Sequence, residues 1–247
     1  MDNDIVSIIM AGGLGKRMSS NKAKVLHEIK RFPMIYHVIQ NALHVGCTKI
    51  FVVVGKYMHD IQSAIQKLFN IDVLDKIVYV IQPESLIDGN LCSLGTGDAV
   101  RSCLSVFEQY NFPKNTNVLI LSGDVPFVDL QELSQFSSVA NSIMISELND
   151  PTGYGRVFTY EGYLSYIVEH ALCDQHQLRC NTVNAGIYNL TLKTLLETIP
   201  KIEINNIKME FLLTDFYLFT ETPIKVFHSS DVPKNINTVN DLRIANS

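Results

Sequence analysis

No stretch of this 247-residue chain approaches the roughly 20 apolar residues that a bilayer-spanning helix needs. The chain begins Met1-Asp2-Asn3-Asp4, the reverse of a cationic, apolar leader, so the expected location is the cytoplasm with no membrane partner. Cysteine is sparse: Cys47, Cys92, Cys103, Cys173 and Cys180 contain no C-x-x-C pair, and an odd count predicts free thiols, not a disulfide framework or a zinc site. A basic block is also lacking, and the formal net charge is -5. That balance argues against a nucleic-acid partner but leaves room for a nucleotide-sized anion held by a few local cations. The seven histidines are dispersed, and no Ser-His-Asp or Cys-His set accompanies them. Repeats, low-complexity tracts and linkers are absent too, which predicts one domain over residues 1–247. The sequon Asn189-Leu190-Thr191 lacks a secretory context and is read as chance.

What is present is ample apolar material, 47% of the residues, arranged with a rhythm. Short β-branched runs at 5–10, 50–54, 77–81, 118–121 and 142–146 read as buried parallel strands. Between them, 34–45, 58–69 and 97–110 carry apolar residues at three- and four-residue spacing, as in Ile35, Val38, Ile39 and Ala42, and read as crossover helices. This alternation predicts an open α/β sheet flanked by helices on both faces, with ligands beyond the carboxyl ends of the strands. From about residue 150 the pattern turns to antiparallel ribbon at 157–160 and 164–169, with helical signals at 192–198 and 210–219. The expectation is a mixed sheet with a nucleotide-binding half at 1–130 and a sugar-binding half at 131–247.

Two loops carry the chemistry. After the first strand comes Met10-Ala11-Gly12-Gly13-Leu14-Gly15-Lys16-Arg17-Met18, where three glycines let the backbone turn and aim its amides at an anion. It is not a Walker loop, because Arg17 follows Lys16 where Ser or Thr belongs. Nor does it complete a dinucleotide fingerprint, because Met18 stands at the last glycine position. The cations Lys16, Arg17 and Lys24 suit a triphosphate tail, while a tight turn with solvated charges is the plain alternative. The second loop, Ser122-Gly123-Asp124-Val125-Pro126, puts a carboxylate at the carboxyl end of a central strand, a position for a Mg²⁺ ligand or for the cap of the helix after Pro126. Asn240 could add a neutral oxygen to the same ion, though its spacing alone does not tie it there.

Taken in order, Ala11-Gly12-Gly13-Leu14-Gly15-Lys16-Arg17-Met18, Leu94-Gly95-Thr96-Gly97, Gly123-Asp124-Val125-Pro126, Asp150-Pro151-Thr152-Gly153-Tyr154-Gly155-Arg156, Ile167-Val168-Glu169, Asn184-Ala185-Gly186, Leu213-Thr214-Asp215 and Val239-Asn240-Asp241 resemble the uridylyltransferase domains of the GlmU family. The resemblance runs over residues 5–244. It implies a Rossmann-like, glycosyltransferase-A-like nucleotidyltransferase fold. It further implies that UTP and N-acetylglucosamine 1-phosphate are the partners, Mg²⁺ the cofactor, and UDP-N-acetylglucosamine and pyrophosphate the products. It also assigns roles. Arg17 and Lys24 hold phosphates as the catalytic cations, and Met10, Ala11, Gly13, Gln82, Gly95 and Thr96 hold the nucleotide. Gly155, Glu169 and Asn184 hold the sugar, and Asp124 and Asn240 bind the metal.

The sequence departs from the family in three places. Twelve residues separate Gln82 from Gly95, more than the family has, which makes 84–93 an insertion. Ser122 stands for a tyrosine common in the bacterial enzymes and Ala185 for a threonine, which leaves open a pyrophosphorylase for another sugar or base. The chain stops seven residues after Asn240, so no acetyltransferase β-helix is expected and uridylyl transfer would be the sole activity. A non-catalytic nucleotide-sugar sensor is the reading from another class.

Overall fold

A computed structural model of the protein describes residues 4–13, 18, 20–87, 90–230 and 233–247. Strands β1 (Ile5–Met10), β2 (Ile50–Val54) and β3 (Ile77–Ile81) run parallel, joined by the crossover helices α1 (Met34–His44) and α2 (Met58–Leu68). The 84–93 insertion forms an antiparallel hairpin, β4 (Glu84–Ile87) and β5 (Asn90–Ser93). Helix α3 (Thr96–Tyr110) then leads to β6 (Asn117–Ser122), which pairs in parallel with β1.

Side chains on a strand alternate between faces, so these strands feed two cores. Val6, Ile8, Phe51 and Val53 pack with Val100, Cys103 and Phe107 of α3. Ile9, Ile50, Val52 and Val54 pack instead with Ile35, Val38 and Ile39 of α1 and with Ile61 and Ile65 of α2. Apolar residues on both faces are why these runs lack a polar alternation.

The second half adds α4 (Leu130–Ser137), β7 (Ser142–Glu147), β8 (Arg156–Tyr160), β9 (Tyr163–Val168), β10 (Thr182–Thr191), α5 (Leu192–Thr198), β11 (Lys225–His228) and α6 (Val239–Asn246). One nine-stranded sheet results, in the order β8-β9-β11-β7-β10-β6-β1-β2-β3. The ten-residue β10 was not anticipated as a strand. It lies antiparallel between β6 and β7, so β7 finds its parallel neighbour in β11 and not in β6. Residues 210–219 also differ from expectation: Glu210–Phe211 pairs with Ile204–Asn205, and Leu213–Phe219 is a 3-10 helix. Three-residue apolar spacing, as at Leu213 and Phe216, is common to both helix types and does not separate them.

Cys47, Cys103, Cys173 and Cys180 are free thiols. Cys47 and Cys103 are buried, and burial pushes the Cys47 thiol up to about 12. The sequon asparagine is wholly buried: Asn189 Nδ2 donates to the carbonyls of Ser137 and Val139 at 2.9 and 3.0 Å and so ties β10 to the turn after α4. Replacing Asn189 with Leu leaves those carbonyls without their donor, a cost of about 1–3 kcal/mol. In urea unfolding the midpoint of Asn189→Leu is expected to fall while the slope stays constant.

Candidate active site

A cleft of about 440 Å³ opens at the carboxyl ends of β1 and β6, where Met10 and Ser122 are the last strand residues. Gly123 brings the two loops together. Its N–H donates to the Met10 carbonyl at 3.0 Å, and a Cβ there would stand 2.8 Å from that same oxygen, too close for any side chain. Gly95, which lines the same cleft, has φ +96°, and a Cβ would meet the Phe211 carbonyl at 2.7 Å. Only glycine allows the backbone to pass there. Thr96 secures the same junction, its Oγ1 accepting from Leu213 N at 3.1 Å.

Of the residues expected at the nucleotide, Met10, Gly13, Gln82, Gly95 and Thr96 line this cleft, together with the phosphate cation Lys24 and the metal candidate Asp124. Ala11 does not. It is buried, and its N–H is committed to the Val53 carbonyl at 2.9 Å. Arg17 lies outside the described residues. Gln82 is 4% exposed and uses its Nε2 on Gly95 O and Asp98 Oδ2, at 2.9 and 3.0 Å.

Also in the cleft, Lys24 Nζ donates to Asp124 Oδ2 and, at 2.8 Å, to Asn237 Oδ1. Among the described residues lining the cleft Lys24 is the only cation. Ser122 Oγ steadies the second Asp124 oxygen at 2.6 Å. Capping the following helix falls to Asp129, whose carboxylate accepts from Glu132 N at 2.8 Å, so Asp124 remains available to the cleft.

Asn240, the second metal ligand that the resemblance implies, does not line this cleft. Asn240 is exposed, lies in the first turn of α6 and accepts from Arg243 at 3.2 Å. Asn237 is the one that meets Asp124's partner Lys24. Two local contacts place it there. Ile236 N donates to the Asp124 carbonyl at 2.9 Å, and a capping box between Thr238 and Asp241 starts the helix just after Asn237. Asp241 Oδ2 also accepts from Asn237 N at 2.9 Å. The pattern Thr-x-x-Asp at 238–241 is a readable helix-start signal, and it puts residue 237 in the loop and residue 240 in the helix.

Asp124 Oδ2 and Asn237 Oδ1 therefore converge on one cation, the Lys24 ammonium. Hard oxygen ligands in that number, completed by substrate phosphates and water, suit Mg²⁺. No group of three or more His, Cys, Asp or Glu that could hold a metal by itself occurs among the described residues.

The three residues expected at the sugar form a second cluster and do not line this cleft. Asn184 N donates to Gly155 O at 2.9 Å, and a Cβ on Gly155 would sit 3.7 Å from Glu169 Oε1. Glu169 accepts from Thr214 Oγ1 at 3.0 Å and Lys208 Nζ at 3.1 Å; Asn184 Nδ2 donates to the buried Tyr188 hydroxyl at 2.6 Å. Burial, reinforced by the Glu169 charge, raises the Asp215 carboxyl above its ordinary range. The buried Arg156 organises the loop before Gly155 by donating to the carbonyls of Pro151, at 2.7 Å, and Tyr154. Segment 210–214 connects the two sites, touching Gly95 and Thr96 on one side and Glu169 on the other. Neither Lys208 nor Tyr188 carries a sequence pattern that marks it.

No helix among the described residues is long and apolar enough to cross a membrane. The sequence profile described as nucleotidyl transferase matches residues 6–211. An Acanthamoeba polyphaga mimivirus protein named "Probable UDP-N-acetylglucosamine pyrophosphorylase" is 33% identical over 235 residues, covering 92% of this chain and 86% of that one. The "Bifunctional protein GlmU" of Aliarcobacter butzleri is 36% identical over 84% of this chain, which spans only 44% of that relative's length. A crystal structure of UDP-glucose pyrophosphorylase complexed with UDP-glucose shares the fold, with a TM-score of 0.77 at 17% identity, over 98% of this chain and 97% of that one. A mixed sheet with its glycine turns and cation-paired carboxylate at the strand ends, matched over most of its length by that profile and by the mimivirus relative, makes this chain a member of the nucleotidyl transferase family.

Proposed function

We propose that the protein transfers the uridylyl group of UTP to N-acetylglucosamine 1-phosphate, releasing pyrophosphate. The observation that carries this reading is the meeting of Lys24, Asp124 and Asn237 in a cleft that Gln82, Gly95 and Thr96 also line. The first group suits a polyphosphate and the second a base. The identity to the mimivirus relative supports N-acetylglucosamine 1-phosphate as the acceptor.

A sugar 1-phosphate has its second pKa near about 6, so at neutral pH its oxygen is already an anionic nucleophile. No general base is required, in keeping with the absence of a catalytic His or Cys set from the sequence. The phosphate oxygen attacks the α-phosphorus as the bond from that phosphorus to the bridging oxygen breaks, and pyrophosphate leaves with the electron pair. The obstacle is repulsion between a dianion and a triphosphate. Lys24 offsets it with its ammonium, and Arg17 is assigned the same task on the glycine loop. Once Lys24 turns from Asp124 and Asn237 to the phosphates, those two oxygens would hold Mg²⁺, which supplies further charge neutralisation across the phosphates. Cations and dipoles of this kind act by preorganisation, with attacking and leaving oxygens held in line.

Another sugar 1-phosphate is the second reading, favoured by Ala185, which is 2% exposed and offers no hydroxyl beside Asn184. Pyrophosphate release from UTP across a panel of sugar 1-phosphates separates the two. N-acetylglucosamine 1-phosphate is expected to have the highest kcat/KM; a higher value for glucose 1-phosphate selects the second reading, and silence with every acceptor rejects both.

Asp124→Ala is expected to lower kcat by roughly 10²- to 10³-fold with an unchanged circular dichroism spectrum. A variant that keeps its rate contradicts the assignment. For the asparagines, Asn237→Ala should raise the Mg²⁺ concentration needed for half-maximal rate by about tenfold, the weight of one lost ligand contact, whereas Asn240→Ala should match the parent. The opposite order would restore residue 240 to the site.

A further inference from the structure

The Gln82 amide has two possible orientations, and its partners permit one. Its Nε2 lies 2.9 Å from the Gly95 carbonyl and 3.0 Å from Asp98 Oδ2, and neither a carbonyl nor an ionised carboxylate can donate. Asp98 is the third residue of α3. Both amide hydrogens are therefore spent on the wall. The opposite atom, Oε1, faces the glycine loop, 3.0 Å from where a Cβ on Gly12 would lie, and Gly12 and Gln82 both line the cleft.

An acceptor fixed in the cleft wall selects its ligand by hydrogen-bond sign. Uracil and thymine present an N–H donor at N3, whereas cytosine presents a lone pair there. A flipped amide would suit cytosine, but it would set Oε1 against two acceptors at once.

Resting on the uridylyl-transfer reading above, we propose that Asp98 is a positioning residue that sets base choice. Without lining the cleft itself, it locks the Gln82 carbonyl toward the base, so that nucleotides with an N3–H are accepted and cytidine nucleotides are refused. The sequence hides this role, because Asp98 reads as an ordinary acidic residue in the first turn of a helix.

The test is equilibrium binding of UTP and CTP, alongside kcat/KM for each, in the parent, Asp98→Ala and Asp98→Asn proteins. The parent should favour UTP by about 10²-fold or more, since a site built around one hydrogen bond rejects the analogue lacking it. Asp98→Ala leaves only the Gly95 carbonyl to hold the amide, and the UTP-to-CTP ratio should fall about tenfold. Asp98→Asn keeps an acceptor at the same place, and its ratio should stay within about threefold of the parent. A parent that binds both nucleotides equally overturns the proposal. So does an Asp98→Ala protein that weakens both alike, the signature of a merely structural role, or an Asp98→Asn protein that loses the ratio. Failure of the function reading looks different: no pyrophosphate is released with any acceptor, while the binding ratios still judge Asp98.

Discussion

The site depends on one ammonium shared by two oxygens. Lys24 meets Asp124 and Asn237 from 100 and 213 positions away in sequence, and all three side chains face one cleft. The sheet makes this possible, because β1 and β6 are neighbours and their loops emerge side by side. The carboxylate follows β6, the lysine follows the glycine loop of β1, and the asparagine arrives from the segment that a backbone bond ties to Asp124. Opposite charge holds the arrangement together, and the same geometry offers a cation position to a polyphosphate.

Much of the first half was legible in the sequence because its physics is local. Buried parallel strands are short apolar runs, crossover helices have a 3.6-residue stripe, and glycines cluster where the backbone must turn at a strand end. Strands β1, β2 and β3 and helices α1, α2 and α3 lie within a residue or two of where periodicity puts them. Glycines 95 and 123 sit where close backbone approach requires them.

The remainder was hidden for physical reasons. Strand β10 alternates small, polar and bulky residues through Asn184-Ala185-Gly186, and its register shifts there, so it lacks the uniform apolar run of its neighbours. Its antiparallel place between β6 and β7 is a long-range pairing that no local pattern encodes. Asn237 and Asn240 lie within one short motif, and only the Thr238–Asp241 capping box tells loop from helix. The supports of the sugar cluster, Lys208, Thr214 and Tyr188, come from separate elements and meet only in three dimensions.

If Asp124 and Asn237 serve one shared cation position, their losses should not add. A double-mutant cycle on UTP affinity in the presence of Mg²⁺, through Asp124→Ala, Asn237→Ala and the double variant, measures this directly. The double variant is predicted to bind UTP within about threefold of Asp124→Ala alone, since the second ligand has little left to hold. Losses that multiply as independent factors would mean that the two residues act on separate parts of the ligand, and the common site would be refuted.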